Sequence, residues 1–213
     1  MTTQSLRIGL DFDNTIVCYD AAIAVLAEEL FDLPPEVPRT KLGVRDHLRA
    51  TDRAPEWTSF QGALYGPGMA HAQPFEGAIE TMQSLVRQGH QLTIVSHRSR
   101  RPYAGPPHDL HAAARRWVGR RLQSAGLFLN DPADPAGEGI VNFLETREAK
   151  VARLAELGCQ MFVDDLPEVL EAPGFPEGTV GVLFAPGGEG SSAQGYHRIA
   201  AWRELPDLLA QLP

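Results

Sequence analysis

The chain has 213 residues, 43% of them apolar and 22% charged, with a net charge of −8. That length supports one full core plus a small accessory module, and the balance is that of an ordinary soluble globular protein. The acidic surplus argues against nucleic acid or an anionic membrane surface as partner, while a small anionic substrate stays open if a pocket gathers positive charge.

In chain order, Leu6, Ile8 and Leu10 alternate with smaller or polar residues and read as a strand. It ends in Asp11-Phe-Asp-Asn-Thr15. Two carboxylates at i and i+2 precede the turn formers Asn14 and Thr15. Like charges at the end of a buried strand repel one another and resist desolvation, so they raise a pKa or recruit a cation. A hard divalent ion with oxygen ligands is the simplest compensation, and Mg2+ typically takes only one or two carboxylates. Helix capping accounts for Asp13 taken alone, but not for Asp11.

Ala21–Phe31 reads as a helix stopped by Pro34-Pro35. Shorter helical candidates follow at Leu42–Ala50 and Glu56–Leu64, and Gly66-Pro67-Gly68 and Pro74 punctuate the end of this region. Residues 18–73 thus form an all-helical insertion, with residues 1–17 and 74–213 as the main domain. Phe75–Arg87 has helical periodicity, Leu92–Ser96 is a short buried strand, and Asp109–Ala125 is a helix closed by Gly126. Leu127–Asn130 and Ile140–Leu144 are strand candidates, Glu145–Leu157 a helix, and Gln160–Val163 a strand running into Asp164-Asp165. Val180–Phe184 is a further strand and Ala201–Leu212 the last helix.

Strands alternating with helices imply an α/β fold, with a parallel sheet covered on both faces. Such open sheets bind ligands outside the carboxyl ends of their strands. Asp11, Ser96 and Asp164-Asp165 all fall at such ends, and this convergence says more than any single motif.

The ordered set Asp11-Phe-Asp-Asn-Thr15, Ser96 in Thr93-Ile-Val-Ser96, Lys150 in Thr146-Arg-Glu-Ala-Lys150, and Phe162-Val-Asp-Asp165 resembles the four motifs of the haloacid dehalogenase (HAD) superfamily of phosphohydrolases. The resemblance covers a Rossmann-like core, and the helical insertion takes the place of a small C1-type cap. It implies Mg2+ as cofactor, held by Asp11, the backbone carbonyl of Asp13, Asp165 as direct ligand, and Asp164 directly or through water. It also implies Asp11 as nucleophile forming an aspartyl-phosphate, Asp13 as general acid and base, Ser96 as a phosphate-binding hydroxyl, and Lys150 as a bridge between Asp11 and the phosphate. Lys150 is one of only two lysines in the chain, with Lys41. Halide-displacing members of the family do not place an acid/base aspartate two residues after the nucleophile, so Asp13 favours phosphoryl transfer.

Beyond Ser96, His97 and Arg98 are the expected substrate contacts of a basic loop that continues through Arg100 and Arg101, these two reading equally as solvated. In the insertion, Asp20, Arg45, His47, Trp57 and Tyr65 are candidate contacts, with Trp57 and Tyr65 better explained as its core. Gly187–Ser192 lacks the Lys-Ser/Thr ending of a Walker A loop and reads as a connector.

The expected protein is therefore an HAD-like phosphoric monoester hydrolase acting on a small phosphorylated metabolite, a sugar phosphate or a nucleoside monophosphate. A phosphotransferase or mutase with the same nucleophile, and a non-catalytic phosphate-binding module, are the alternatives. No apolar run reaches transmembrane length, Met1–Arg7 lacks the form of a signal peptide, and Cys18 and Cys159 show no metal or redox spacing. A cytoplasmic location without membrane or nucleic-acid partners is expected, and the sequence leaves the oligomeric state open.

Overall fold

The computed structural model describes residues 5–128, 140–188 and 195–211. In chain order the elements are β1 (Arg7–Leu10), β2 (Val17–Cys18), α1 (Asp20–Leu30), α2 (Lys41–Ala50), α3 (Ala54–Tyr65), β3 (Gln73–Pro74), α4 (Ala78–Arg87) and β4 (Gln91–His97). They continue with α5 (Leu110–Arg121), β5 (Val141–Leu144), α6 (Arg147–Leu157), β6 (Met161–Asp164), α7 (Pro167–Leu170), β7 (Val180–Phe184), β8 (Tyr196–Ile199) and α8 (Leu205–Gln211). No helix of the described residues is long and apolar enough to cross a membrane.

Six strands form one parallel sheet in the order β5-β4-β1-β6-β7-β8, so the α/β expectation holds. β1 lies in the middle, and Ile8, Leu10, Ile94, Met161, Phe162 and Val163 are fully buried, as a sheet covered on both faces requires. On one face α6 and α7 bring Val151, Leu154, Val169 and Leu170 onto Val95, Phe162 and Leu183. On the other, α4 packs on β4 and on α8, and Phe184 meets the rings of Phe75 and Trp202. The Trp202 indole donates to Thr15 O at 3.0 Å, tying the C-terminal region to the turn after β1.

β8 was not legible in the sequence. Tyr196–Ile199 is an edge strand with only Ile199 buried, so it lacks the apolar run that marks the inner strands. The strand expected at Leu127–Asn130 is absent as far as the structure describes it. Phe128 has φ 51°, a left-handed conformation that no strand accommodates; residues 129 and 130 lie outside the described residues, as do residues 189–192 of the Gly-rich segment.

The chain divides into two compact units, one of Met1–Ile16, Pro74–His97 and Leu122–Pro213, the other of Val17–Gln73 and Arg98–Arg121. The first contains the sheet. In the second, Thr40 caps α2 by accepting from Gly43 N, and Phe31, Trp57 and Phe60 pack ring on ring. The second unit holds a segment that the sequence reading assigned to the main domain, Arg98–Arg121. The reason is the apolar face of α5. Leu110, Ala113, Ala114, Trp117 and Val118 are buried, α5 packs against α3 and the turn Pro67–Ala70, and the Trp117 indole donates to Ala72 O at 3.0 Å. Helical periodicity shows that such a face exists, but not which neighbour it meets.

Candidate active site

Strand register brings the first two acidic groups together. Leu10 stands opposite Ile94 on one side and Val163 on the other, and Asp11 N donates to Val163 O at 2.8 Å. One step beyond, Asp11 and Asp164 are therefore level on adjacent strands and share a face. After Asp11 the chain turns sharply: Ile16 N donates to Phe12 O at 3.1 Å, and Asn14 adopts φ 59°, a conformation asparagine tolerates better than most residues.

Lys150 reaches this pair from α6. Thr146 caps that helix, accepting from Ala149 N at 3.1 Å, and the buried positions Lys150, Val151 and Leu154 define the face laid on the sheet. The Lys150 ammonium, fully buried, donates to Asp11 Oδ1 and Asp164 Oδ2, both at 2.6 Å. It lies 5.2 Å from the Phe162 ring centroid, a cation–π geometry. Burial alone would lower its pKa, but attraction to Asp11 and Asp164 outweighs this, and the net shift is upward. Lys150 is a fixed positive charge.

One ammonium does not balance the carboxylates around it. Asp11, Asp164 and Asp165 each offer an oxygen, and the three oxygens lie within 4.8 Å of one another. Desolvation, then the charges of Asp11 and Asp164, pushes the Asp165 pKa up. Desolvation likewise raises that of Asp164, against the pull of Lys150. The cluster is short of positive charge, and the donor set is all oxygen, which suits a hard divalent cation.

The two members of the acidic pair differ. Asp164 is fully buried; its Oδ2 accepts from Lys150 and its Oδ1 from Leu166 N at 2.9 Å. It fixes the lysine and the turn into α7. This second bond is an Asx-type turn ahead of Pro167, a pattern visible in Asp164-Asp-Leu-Pro167. Asp165 is only partly exposed and carries the carboxylate not used in this way.

Ser96 lies near the end of β4, in register with Phe143. It is 1% exposed and its hydroxyl has no hydrogen-bond partner. A buried hydroxyl left unpaired costs about 1–3 kcal/mol, which an incoming acceptor would recover. Thr15, fully buried with an equally unpartnered hydroxyl, belongs to the Asp11 motif, where sequence reasoning gave it only a turn-forming role; burial singles it out. Asp13, two residues past Asp11, is partly exposed, and its charge is felt at Asp165.

His97 closes β4. Burial, then the Lys150 charge, holds its pKa below the ordinary imidazole value, against the pull of Asp11. Arg98, expected as a substrate contact, is enclosed within the helical unit. It is 6% exposed, donates to Tyr65 O at 3.2 Å and lies over the Tyr65 ring and beside Met69 Sδ within the helical unit. A weakly hydrated guanidinium is drawn into such aromatic and sulfur surroundings. Arg100 pairs with Asp109 at 3.3 Å. In the insertion, Trp57 is buried and Tyr65 packs edge-on against Tyr19, both as core residues, while Asp20 is exposed and Arg45 and His47 are partly so.

No family model matches the sequence, and no curated protein matches it. Solved structures do. YfnB from Bacillus subtilis, bound to magnesium, aligns with TM-score 0.63 at 16% identity over 97% of this chain and 99% of that one. A HAD family hydrolase from Deinococcus radiodurans R1, with bound phosphate and sodium, aligns with TM-score 0.57 at 20% identity over 98% and 96%. A dehalogenase aligns with TM-score 0.57 at 16% identity over the full length of both chains. At these identities the likeness is one of fold: the chain has the fold of HAD-superfamily hydrolases.

Proposed function

We infer that this HAD-fold chain is a phosphatase of small phosphorylated metabolites, working through an aspartyl-phosphate on Asp11. One observation carries the reading. The Lys150 ammonium is clamped between Asp11 and Asp164 at 2.6 Å each, with a third carboxylate, Asp165, alongside. A structural role needs no such surplus of buried negative charge. A cation-dependent site for an anionic substrate does.

The residues fit Mg2+. Asp11 and Asp165 would hold it, with the Asp13 backbone carbonyl, and Asp164 would position Lys150. When bound, the ion neutralises charge on the phosphoryl oxygens and on the carboxylates around it. Asp11 attacks phosphorus, forming the new O–P bond as the bond to the leaving oxygen breaks. Asp13 gives its proton to that oxygen, then takes one from the water that hydrolyses the acyl-phosphate. The Ser96 hydroxyl donates to a non-bridging oxygen, and Lys150 opposes the developing negative charge. His97 contacts the substrate beyond its phosphate. The helical unit, inserted immediately after the nucleophile turn and again after β4, serves as a cap that selects the leaving group and limits water. A sugar phosphate or nucleoside monophosphate suits a cap of this size.

The fold alone does not separate this from dehalogenation, since a dehalogenase shares it; Asp13 favours phosphoryl transfer. The test is hydrolysis of para-nitrophenyl phosphate with Mg2+. Turnover abolished by Asp11→Asn and strongly slowed by Asp13→Asn supports the reading. Parent-like turnover in Asp13→Asn removes the acid/base assignment, and no turnover of any phosphate ester with phosphate still bound replaces the enzyme with a binding module.

A further inference from the structure

The first turn of α6 carries a cation where the backbone dipole disfavours one. Arg147 is the first residue of the helix, directly after its cap Thr146. A positive charge there opposes the positive end of the helix dipole. The buried Lys150 ammonium stands one turn on, and residues three apart are neighbours on a helix surface.

Arg147 continues the stripe that α6 lays on the sheet. Lys150, Val151 and Leu154 are the buried members of that stripe, and a residue three and four positions before the first two shares their side of the helix. Yet Arg147 is exposed. Its height explains this. β5 ends at Leu144 and α6 starts at Arg147, so this end of the helix lies at the carboxyl edge of the sheet, where the strands stop. Lys150 reaches Asp11 from one turn deeper. Arg147 stands one turn further out, at the mouth of the same site.

Two observations connect it to that mouth. His97, the last residue of β4, is in register with Leu144 at the end of β5, and its partly buried imidazole feels the charges of Lys150, Asp11, Arg147 and Asp13 together. The guanidinium is also unclaimed. Glu148, the acid beside it, accepts from the Thr146 hydroxyl and from its own backbone N–H, and among the described residues Arg147 forms no ion pair. The reacting phosphoryl group already has Lys150 and the Ser96 hydroxyl. A neutral leaving group gains little from a further guanidinium, whereas a carboxylate or phosphate is held by it through two parallel hydrogen bonds.

We propose that Arg147 and His97 form a second anion subsite beside the phosphoryl site, selecting substrates whose leaving group bears a carboxylate or phosphate of its own. The proposal rests on the phosphatase reading and narrows its substrate class. It is tested on the full chain with Mg2+ by calorimetric titration of three ligands that are not turned over: phenylphosphonate, 3-carboxyphenylphosphonate and benzene-1,3-diphosphonate. The expected result is about tenfold tighter binding of a doubly anionic ligand than of phenylphosphonate, the tighter of the two identifying the second group. Arg147→Ala abolishes this preference, and Arg147→Lys, which keeps the charge without the planar fork, retains part of it. No preference in the parent, or an equal preference in Arg147→Ala, overturns the subsite. So does an equal loss of affinity for all three ligands in Arg147→Ala, which places the arginine on the reacting phosphoryl group. Hydrolysis of para-nitrophenyl phosphate by the parent separates the two claims: turnover without the preference removes the subsite alone, and the preference without turnover of any ester removes the phosphatase reading alone.

Discussion

Replacing Lys150 by Met removes the positive charge that Asp11 and Asp164 share, while roughly keeping the side chain's length. The ammonium is fully buried, with both partners almost as deep, so water does not replace it. Breaking a buried ion pair by deleting one partner costs about 3–5 kcal/mol, most of it the penalty of the stranded charge. For a chain of this size that corresponds to a fall in Tm of about 10 °C. Urea unfolding at neutral pH reads the loss through Trp202, which is buried in the sheet unit. The loss has a defined pH dependence. Without the ammonium, which holds the Asp164 pKa down, native Asp164 binds a proton more readily than in the parent. The variant's deficit is therefore greatest at neutral pH and narrows as pH falls. Adding Asp164→Leu to Lys150→Met removes one stranded charge and recovers about 1–3 kcal/mol. A Lys150→Met protein with the parent's urea midpoint across this pH range would falsify the clamp as drawn.

Ser96→Ala deletes a buried hydroxyl that has no partner, so the stability read by urea unfolding holds or rises by up to about 1 kcal/mol, while kcat/KM for a phosphate ester falls about 100-fold; a loss of both together means that the hydroxyl is structural. Gly9→Ala places a Cβ 2.8 Å from the Phe162 ring and 3.1 Å from Cys159 Sγ and Leu154, in a packed core, and lowers stability by about 1–3 kcal/mol in the same titration. His90 is buried and its Nδ1 accepts from Leu6 N at 3.2 Å, and burial holds its pKa down. The unfolded chain then binds a proton that the folded one refuses, so the His90 contribution is lost as pH falls below about 6.5, by at most about 1.4 kcal/mol per pH unit, against the opposite trend of the raised Asp164 and Asp165 carboxyls. In His90→Gln this acid-side slope is shallower, and an unchanged slope assigns it to other groups.

The inner strands were legible because burial on both faces writes a continuous apolar run into the sequence, as in Leu92–Ser96 and Val180–Phe184. The site was legible because two carboxylates at the end of such a run have no structural excuse. β8 was not, since an edge strand with one buried residue carries almost no pattern. The distinct duties of Asp164 and Asp165 were hidden as well: adjacent residues of one type differ only in what each side chain meets.

Local chemistry thus determined the inner strands, most helices, and Asp11, Asp13 and Ser96 as candidates, because periodicity and charge act over a few residues, while the family resemblance singled out Lys150. Tertiary structure alone decided that Lys150 spans 139 positions of chain to reach Asp11, that Arg98 is enclosed beside Tyr65, and that α5 belongs with the helical unit. Each of these depends on which surfaces meet, and that is set by sheet register and by the shape of the partner face, neither of which a single stretch of sequence contains.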